Sequence, residues 1–230
     1  MYYDLHIHSK LSPCASELMT VNNIVNMAKI KGLDVISVTD HNSVAQQQQL
    51  MTVAQQAGIT YWFGCEVCTS EGAHILCYFL KDDQLVEFQE YLVQHRLPIK
   101  NNPEYFGNQR IYDTNDQIVG EEPWLLINEL TCSLAQLIDQ VHYLNGRCVA
   151  AHIYHRSNGI IARLGFIPNN LAIDGVEVVN QGEVKQFQMD YPQFSQLPVL
   201  INSDAHDLVD INEAEQTLPA TLIERWWNIE

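Results

Sequence analysis

Tyr2-Tyr3-Asp4-Leu5-His6-Ile7-His8 opens the chain as a short apolar run that ends in two histidines. On an extended strand, residues i and i+2 project to the same side. Both imidazoles can then reach one metal ion. Two histidines so spaced also fit an ordinary surface or core pair, and only the other histidines and carboxylates of the chain separate the two readings.

Working outward, Thr20 stands as an N-cap before a helical stripe of Val21, Ile24, Val25, Ala28 and Ile30 that ends near Gly32. Residues 33–38 read as a second strand. A helix starts at Ser43, carries the Gln46 to Gln49 run on its polar side, and stops at Gly58. Residues 59–63 and 73–79 read as strands, and 86–97 as a helix. A helix capped by Ser133 runs to Leu144, and further strands are expected at 147–151, 173–179 and 198–202. Short β-branched strands alternating with helices imply parallel β/α architecture, with enough strands to favour a barrel or near-barrel over a small open sheet.

With 230 residues, 47% of them apolar, the chain can build one well-formed core, and a single domain over 1–230 is expected. Residues 98–123 stand apart. They are rich in Asn, Gly, Pro and acidic residues, and read as an irregular insertion of the kind that often borders a functional site. No apolar run is long enough to span a bilayer. No basic start precedes an apolar stretch, so no secretory signal is expected and the cytoplasm is the expected compartment.

The formal net charge is −16. Lys and Arg supply affinity for nucleic-acid backbone, so binding to long nucleic acid is not expected. Acidity can serve solubility, or be offset by bound cations. The six cysteines are expected to be reduced thiols. Cys65 and Cys68 match C-x-x-C, but on a strand they face opposite sides, and the match is read as coincidence.

Chemistry collects at the strand ends. The first strand ends in His6 and His8, the second in Thr39-Asp40-His41-Asn42, and the third in Gly64-Cys65-Glu66. His74 comes next, then Ala151-His152, then Ser203-Asp204-Ala205-His206. In β/α barrels this rim is where active sites are built. Each residue has a plain alternative: a helix cap for Asp40 or Asp204, a solvated strand end for Glu66, a core histidine for His74 or His152. Yet six of the nine histidines fall at these positions, leaving His95, His142 and His155. Imidazole and carboxylate donors suit Zn, Mn or Fe at a hydrolytic centre, and their number suits two or three divalent ions. Glu177, in Gly175-Val176-Glu177-Val178-Val179-Asn180, is left outside this set, as a support for a ligand or a structural carboxylate.

The ordered set His6-x-His8, Thr39-Asp40-His41, Gly64-x-Glu66, His74, Ala151-His152 and Ser203-Asp204-x-His206 resembles the polymerase and histidinol phosphatase (PHP) family of metal-dependent phosphoesterases. The resemblance runs from residue 2 to about residue 207. It implies a distorted seven-stranded, TIM-like β/α barrel and hydrolysis of a phosphoester by a metal-activated water. It implies a first ion on His6, His8, Glu66 and Asp204, a second on Glu66, His74 and His152, and a third on His41 and His206. Where the family often places Asp or His for the third ion, this chain has Pro13 and Cys14. Glu17 is the expected replacement and Cys14 the alternative. Arg156 is a candidate phosphate grip, Lys10 a second cation, and His155 a candidate proton donor to the leaving oxygen. The expected substrate is a small phosphorylated metabolite or nucleotide. A nuclease, or a non-catalytic metal-stabilised binding module, is the alternative. Oligomeric state is not legible.

Overall fold

The computed structural model describes residues 1–154 and 158–227. β1 (Tyr3–Ile7), α1 (Val21–Ile30), β2 (Val35–Val38) and α2 (Gln47–Ala57) come first. They are followed by β3 (Thr60–Tyr61), β4 (Phe63–Cys68), β5 (His74–Phe79) and α3 (Asp82–His95). The insertion contributes α4 (Pro103–Phe106) and a hairpin of β6 (Arg110–Tyr112) and β7 (Ile118–Glu121). Then come α5 (Leu134–Tyr143), β8 (Arg147–Ala150), α6 (Ile160–Leu164), β9 (Gly175–Val178), α7 (Gln181–Asp190), β10 (Val199–Ile201) and α8 (Ala220–Trp227). No helix among the described residues is long and apolar enough to cross a membrane.

The fold is mixed α/β. The described strands form a sheet β1-β2-β3, a sheet β10-β9-β8-β5-β4 and the two-stranded β6-β7 hairpin. They do not close a continuous seven-stranded barrel. The break has a local cause. The single strand expected at 59–63 splits: Thr60 and Tyr61 pair with β2, while the chain from Phe63 onward pairs with β5. Between the two larger sheets, isolated bridges join His41 to Glu66 and Ile7 to Ala205. Gly64 lets β4 pass this close to β2. A Cβ there would lie 2.2 Å from Ser37 Oγ and 2.7 Å from Thr39 Cγ2.

β5 also departs from a parallel layout. It runs antiparallel to both β4 and β8. Thr69 N donates to Ala73 O at 3.0 Å and Gly72 N to Thr69 O at 2.8 Å, with Gly72 at φ +77°, closing a tight turn. Such a turn can only return the chain antiparallel, since a parallel return needs a long crossover. As a result His74 opens β5 instead of ending it, yet it still reaches the rim formed by the ends of the parallel strands.

α1 buries Val21, Ile24, Val25 and Ala28, one face of the helix. Its cap comes from the insertion. Thr20 Oγ1 donates to Asp116 Oδ2 at 2.8 Å, and Asn22 N donates to Asp116 Oδ1 at 3.1 Å. The largest apolar core joins β4, β5 and β8 to α3 and α5 through Phe79, Phe88, Leu137 and Val141.

Candidate metal centre

Glu66, in the middle of β4 and 1% exposed, is the hub. Its Oε1 lies 2.7 Å from His74 Nδ1, 3.1 Å from His152 Nε2 and 3.4 Å from His6 Nε2. Its Oε2 lies 2.9 Å from His41 Nδ1 and 3.6 Å from His8 Nε2. Five imidazoles, from β1 and the residue after it, β5, and the segments after β2 and β8, thus share one carboxylate. Burial works against its charge, but His74, His6 and His41 outweigh that and hold it well below the usual carboxylate range.

The tautomers follow from hydrogen-bond accounting. His6 Nδ1 lies 3.1 and 3.0 Å from the two carboxylate oxygens of Glu177, so this nitrogen carries the hydrogen. Ser12 Oγ donates to Asp40 Oδ1 at 2.6 Å, so it accepts from His8 Nδ1 at 3.0 Å. Ser9 N and Ser9 Oγ donate to the same Asp40 at 2.8 and 2.6 Å. His206 Nδ1 donates to the carbonyl of Asp204 at 2.8 Å. Each of these rings is left with Nε2 as its remaining donor atom.

His6 Nε2 and His8 Nε2 then face each other at 3.2 Å, both rings fully buried. Two facing lone pairs in a dry site require a cation between them. Asp204 Oδ1 completes the arrangement, 3.3 Å from each Nε2. A tetrahedral shell with bonds of about 2.05 Å has edges of about 3.3 Å, so the three groups fit one face of the shell of an ion of zinc size. A proton is the other candidate cation. Burial disfavours it on His6, but Glu177, Asp204 and Glu66 outweigh burial and push His6 well above the ordinary histidine value. His8, beside His206 and His41, is pushed well below by burial and those neighbours.

Two more triads have donor atoms within 4.8 Å of one another: His41, Glu66 and His74, and His8, His41 and His206. His41 Nδ1 sits 2.9 Å from Glu66 Oε2 yet makes no hydrogen bond of acceptable geometry. Nitrogen and oxygen lie side by side, as two ligands of one ion do. A cavity of about 340 Å³ opens over His41, Glu66, His74, His152, Asp204 and His206. His152 and Asp204 hold positive φ, +30° and +53°, in backbone conformations that the surroundings must enforce.

The structure brings His6, His8, His41, Glu66, His74, His152, Asp204 and His206 together. It does not bring Glu17. That side chain is 56% exposed and pairs with Lys10 Nζ at 3.5 Å and Arg110 Nη1 at 2.5 Å. Lys10 is also elsewhere: its buried ammonium donates to Ala15 O at 2.8 Å and Pro13 O at 3.3 Å, holding the loop instead of facing the cavity. Cys14 lines the cavity together with His41 and His206. Burial would raise its thiol, but the two imidazoles bring it down to about 6. His155 and Arg156 lie outside the described residues. Sequence reasoning missed Ser12 and Asp40 as the support of His8, and it set aside Glu177, which fixes His6. A carboxylate inside the apolar run of β9 was the available signal for Glu177.

A family model described as the PHP domain matches residues 4–158, more than half of the chain. The chain belongs to the PHP domain family. Over 91 residues this PHP chain is 32% identical to Uncharacterized protein MJ1587 of Methanocaldococcus jannaschii, covering 36% of this chain and 53% of that one. Its fold is similar to the lesion-specific endonuclease EndoQ of Pyrococcus furiosus, with a TM-score of 0.64 and 19% identity over 90% of this chain and 48% of that one. It is also similar to a Bifidobacterium adolescentis protein assigned as a metal-dependent phosphoesterase, with a TM-score of 0.67 and 17% identity over 97% and 94% of the two chains. An amidohydrolase of Chromobacterium violaceum matches at TM-score 0.64 and 17% identity, over 95% and 93%. The PHP chain spans about half the length of the curated relative and of the endonuclease. The names of these structures are those of hydrolases, and at such identities the likeness is one of fold.

Proposed function

We propose that this PHP chain is a divalent-metal-dependent phosphoesterase acting on a small phosphorylated metabolite or nucleotide. The observation that carries the reading is Glu66, buried and within 3.6 Å of five imidazole nitrogens. A carboxylate placed so is suited to bridge ions. His6, His8, Asp204 and Glu66 would hold one ion, and Glu66, His74 and His152 a second, with His41 and His206 available to a third. Bound there, divalent ions supply Lewis acidity toward a phosphoryl oxygen and a water of lowered pKa. Glu177, through His6 Nδ1, and Asp40, through Ser12 and His8 Nδ1, keep the two Nε2 atoms free to bind. Arg156 and His155, close behind His152 in the chain, are proposed to grip the phosphate and to protonate the leaving oxygen. Lys10 is no longer a candidate for either role.

A second reading has one observation behind it. The fold similarity to endonuclease Q, which has been captured with a 27-mer duplex carrying an abasic lesion, keeps a nucleic-acid substrate open. The net charge of −16 opposes it.

Metal-stripped protein, reloaded separately with Mn, Zn and Fe, is tested on sugar phosphates, mononucleotides and labelled oligonucleotides. Release from the small esters is the expected result. Preferential cleavage of oligonucleotides, falling steeply with salt, would establish the nuclease instead. Ion binding without hydrolysis anywhere on the panel would leave a metal-stabilised binding module and end the catalytic reading. Glu66→Gln is expected to lose activity and metal content together while its circular dichroism stays native. Near-normal turnover in that variant would remove the bridging role.

A further inference from the structure

We propose that Cys14 is itself a metal ligand, completing with His41 and His206 a thiolate–imidazole site at the mouth of the cavity. This rests on the metal-dependent reading and goes beyond it by assigning a sulfur donor, and with it a preference among ions. Several independent features place the thiol there.

His8, His41 and His206 present donor atoms within 4.8 Å of one another, and Cys14 lines the same cavity as His41 and His206. His206 has spent its Nδ1 hydrogen on the Asp204 carbonyl, which leaves Nε2 as its binding atom. His41 is 7% exposed, and its Nδ1 has no well-formed hydrogen bond, the situation of a ring waiting for an ion.

The loop is built to hold Cys14 in that position. Lys10 Nζ donates to the carbonyls on either side of it, Pro13 at 3.3 Å and Ala15 at 2.8 Å. Ser16 N donates to His206 O at 2.9 Å, which ties the loop to the segment bearing His206. From outside, Gly107 of the insertion presses on the same loop, where a Cβ would come within 2.3 Å of Pro13 O. A buried ammonium gripping both flanking carbonyls fixes the backbone of Cys14 while Glu17, three residues on, stays at the surface.

A thiolate favours zinc and other borderline or soft ions over manganese or magnesium, so this outer site is selective where an all-carboxylate version would not be. The ligand is the thiolate, so binding releases to solvent whatever proton the sulfur still carries.

Cys14 is the exposed cysteine of the six, the other five being buried, so a thiol reagent applied to the native protein reads Cys14. Zinc at about 100 times its Kd is expected to slow that labelling about 100-fold, because only the ion-free fraction reacts. Cobalt(II)-loaded protein is expected to show a near-ultraviolet sulfur-to-cobalt charge-transfer band that Cys14→Ser lacks. Cys14→Asp is expected to take up as many ions as the parent, without the band and with zinc preference over manganese reduced. Stoichiometric cobalt with no charge-transfer band in the parent, or zinc uptake that leaves labelling unchanged, would overturn the sulfur ligand and leave the phosphoesterase reading intact. No ion uptake at all would overturn both.

Discussion

Glu177 acts on two site residues at once. Its carboxylate lies against His6 Nδ1, and it accepts His152 N at 3.0 Å and Asn202 Nδ2 at 2.6 Å. It therefore sets one histidine's tautomer and supports the strained backbone of another. In Glu177→Gln the amide can present one acceptor oxygen, so it cannot serve His6, His152 and Asn202 together. Metal affinity by calorimetry is expected to fall about 10- to 100-fold. Unchanged affinity would show that Glu177 is merely structural. The ring it serves is 171 positions away in the chain, which is why the sequence could offer Glu177 as support for a ligand without naming the ligand. The outward position of Glu17 was hidden in the sequence for a similar reason. Ligand chemistry favoured the carboxylate, but Lys10 and Arg110, from the same loop and from the distant hairpin, draw it outward.

β4 is the element on which the site turns. Gly64 lets it cross against β2, and two residues later Glu66 bridges to His41. A Cβ at Gly64 would meet the side chains of Ser37 and Thr39 and, at 3.0 Å, the backbone carbonyl of Val38. Gly64→Ala must therefore push β4 away or displace Ser37 and Thr39. A loss of about 1–3 kcal/mol in urea unfolding is expected from such overpacking, together with weaker metal binding in the folded fraction. If stability drops while affinity holds, the crossing supports the fold and not the ligand. The G-x-E spacing was legible as a motif. Its glycine was not explained by the motif, because the clash involves a strand that is remote in sequence. The hairpin that reverses β5 was hidden too. The strand expected at 73–79 already placed His74 near its start, but its antiparallel direction depends on the Gly72 turn.

Across the whole molecule, stability at a distance from the centre has its own pH dependence. His142 Nε2 lies 2.8 Å from Asp174 Oδ2, joining α5 to the start of β9, and this hydrogen bond holds His142 above the ordinary histidine value. The imidazolium is thus favoured in the folded state. Its stabilisation is complete below the unfolded pKa of about 6.5 and is lost as pH rises through the higher folded value. The stability difference between the parent and His142→Gln in urea is expected to be largest at mildly acid pH and to shrink as pH rises through that range. A difference that stays constant with pH would remove the linkage.

The sequence by itself determined the donor set. Eight of its proposed ligands come together, six of them lining one cavity and His6 and His8 buried beneath it, because all but Glu66 lie at or beside a strand end, and strands packed side by side bring such residues to one rim. Strand periodicity and turn residues are local properties, and they can be read locally. Only the tertiary structure decided the rest: which ring nitrogen is free, which carboxylate serves as the hub, where Lys10 points, and whether Glu17 or Cys14 faces the cavity. Those outcomes depend on hydrogen bonds and close contacts between segments far apart in the chain. The histidines His6 and His8, at the end of β1, show the division. Their spacing made a shared ion conceivable, but Glu177 and the Asp40–Ser12 pair are what leave both Nε2 atoms facing each other.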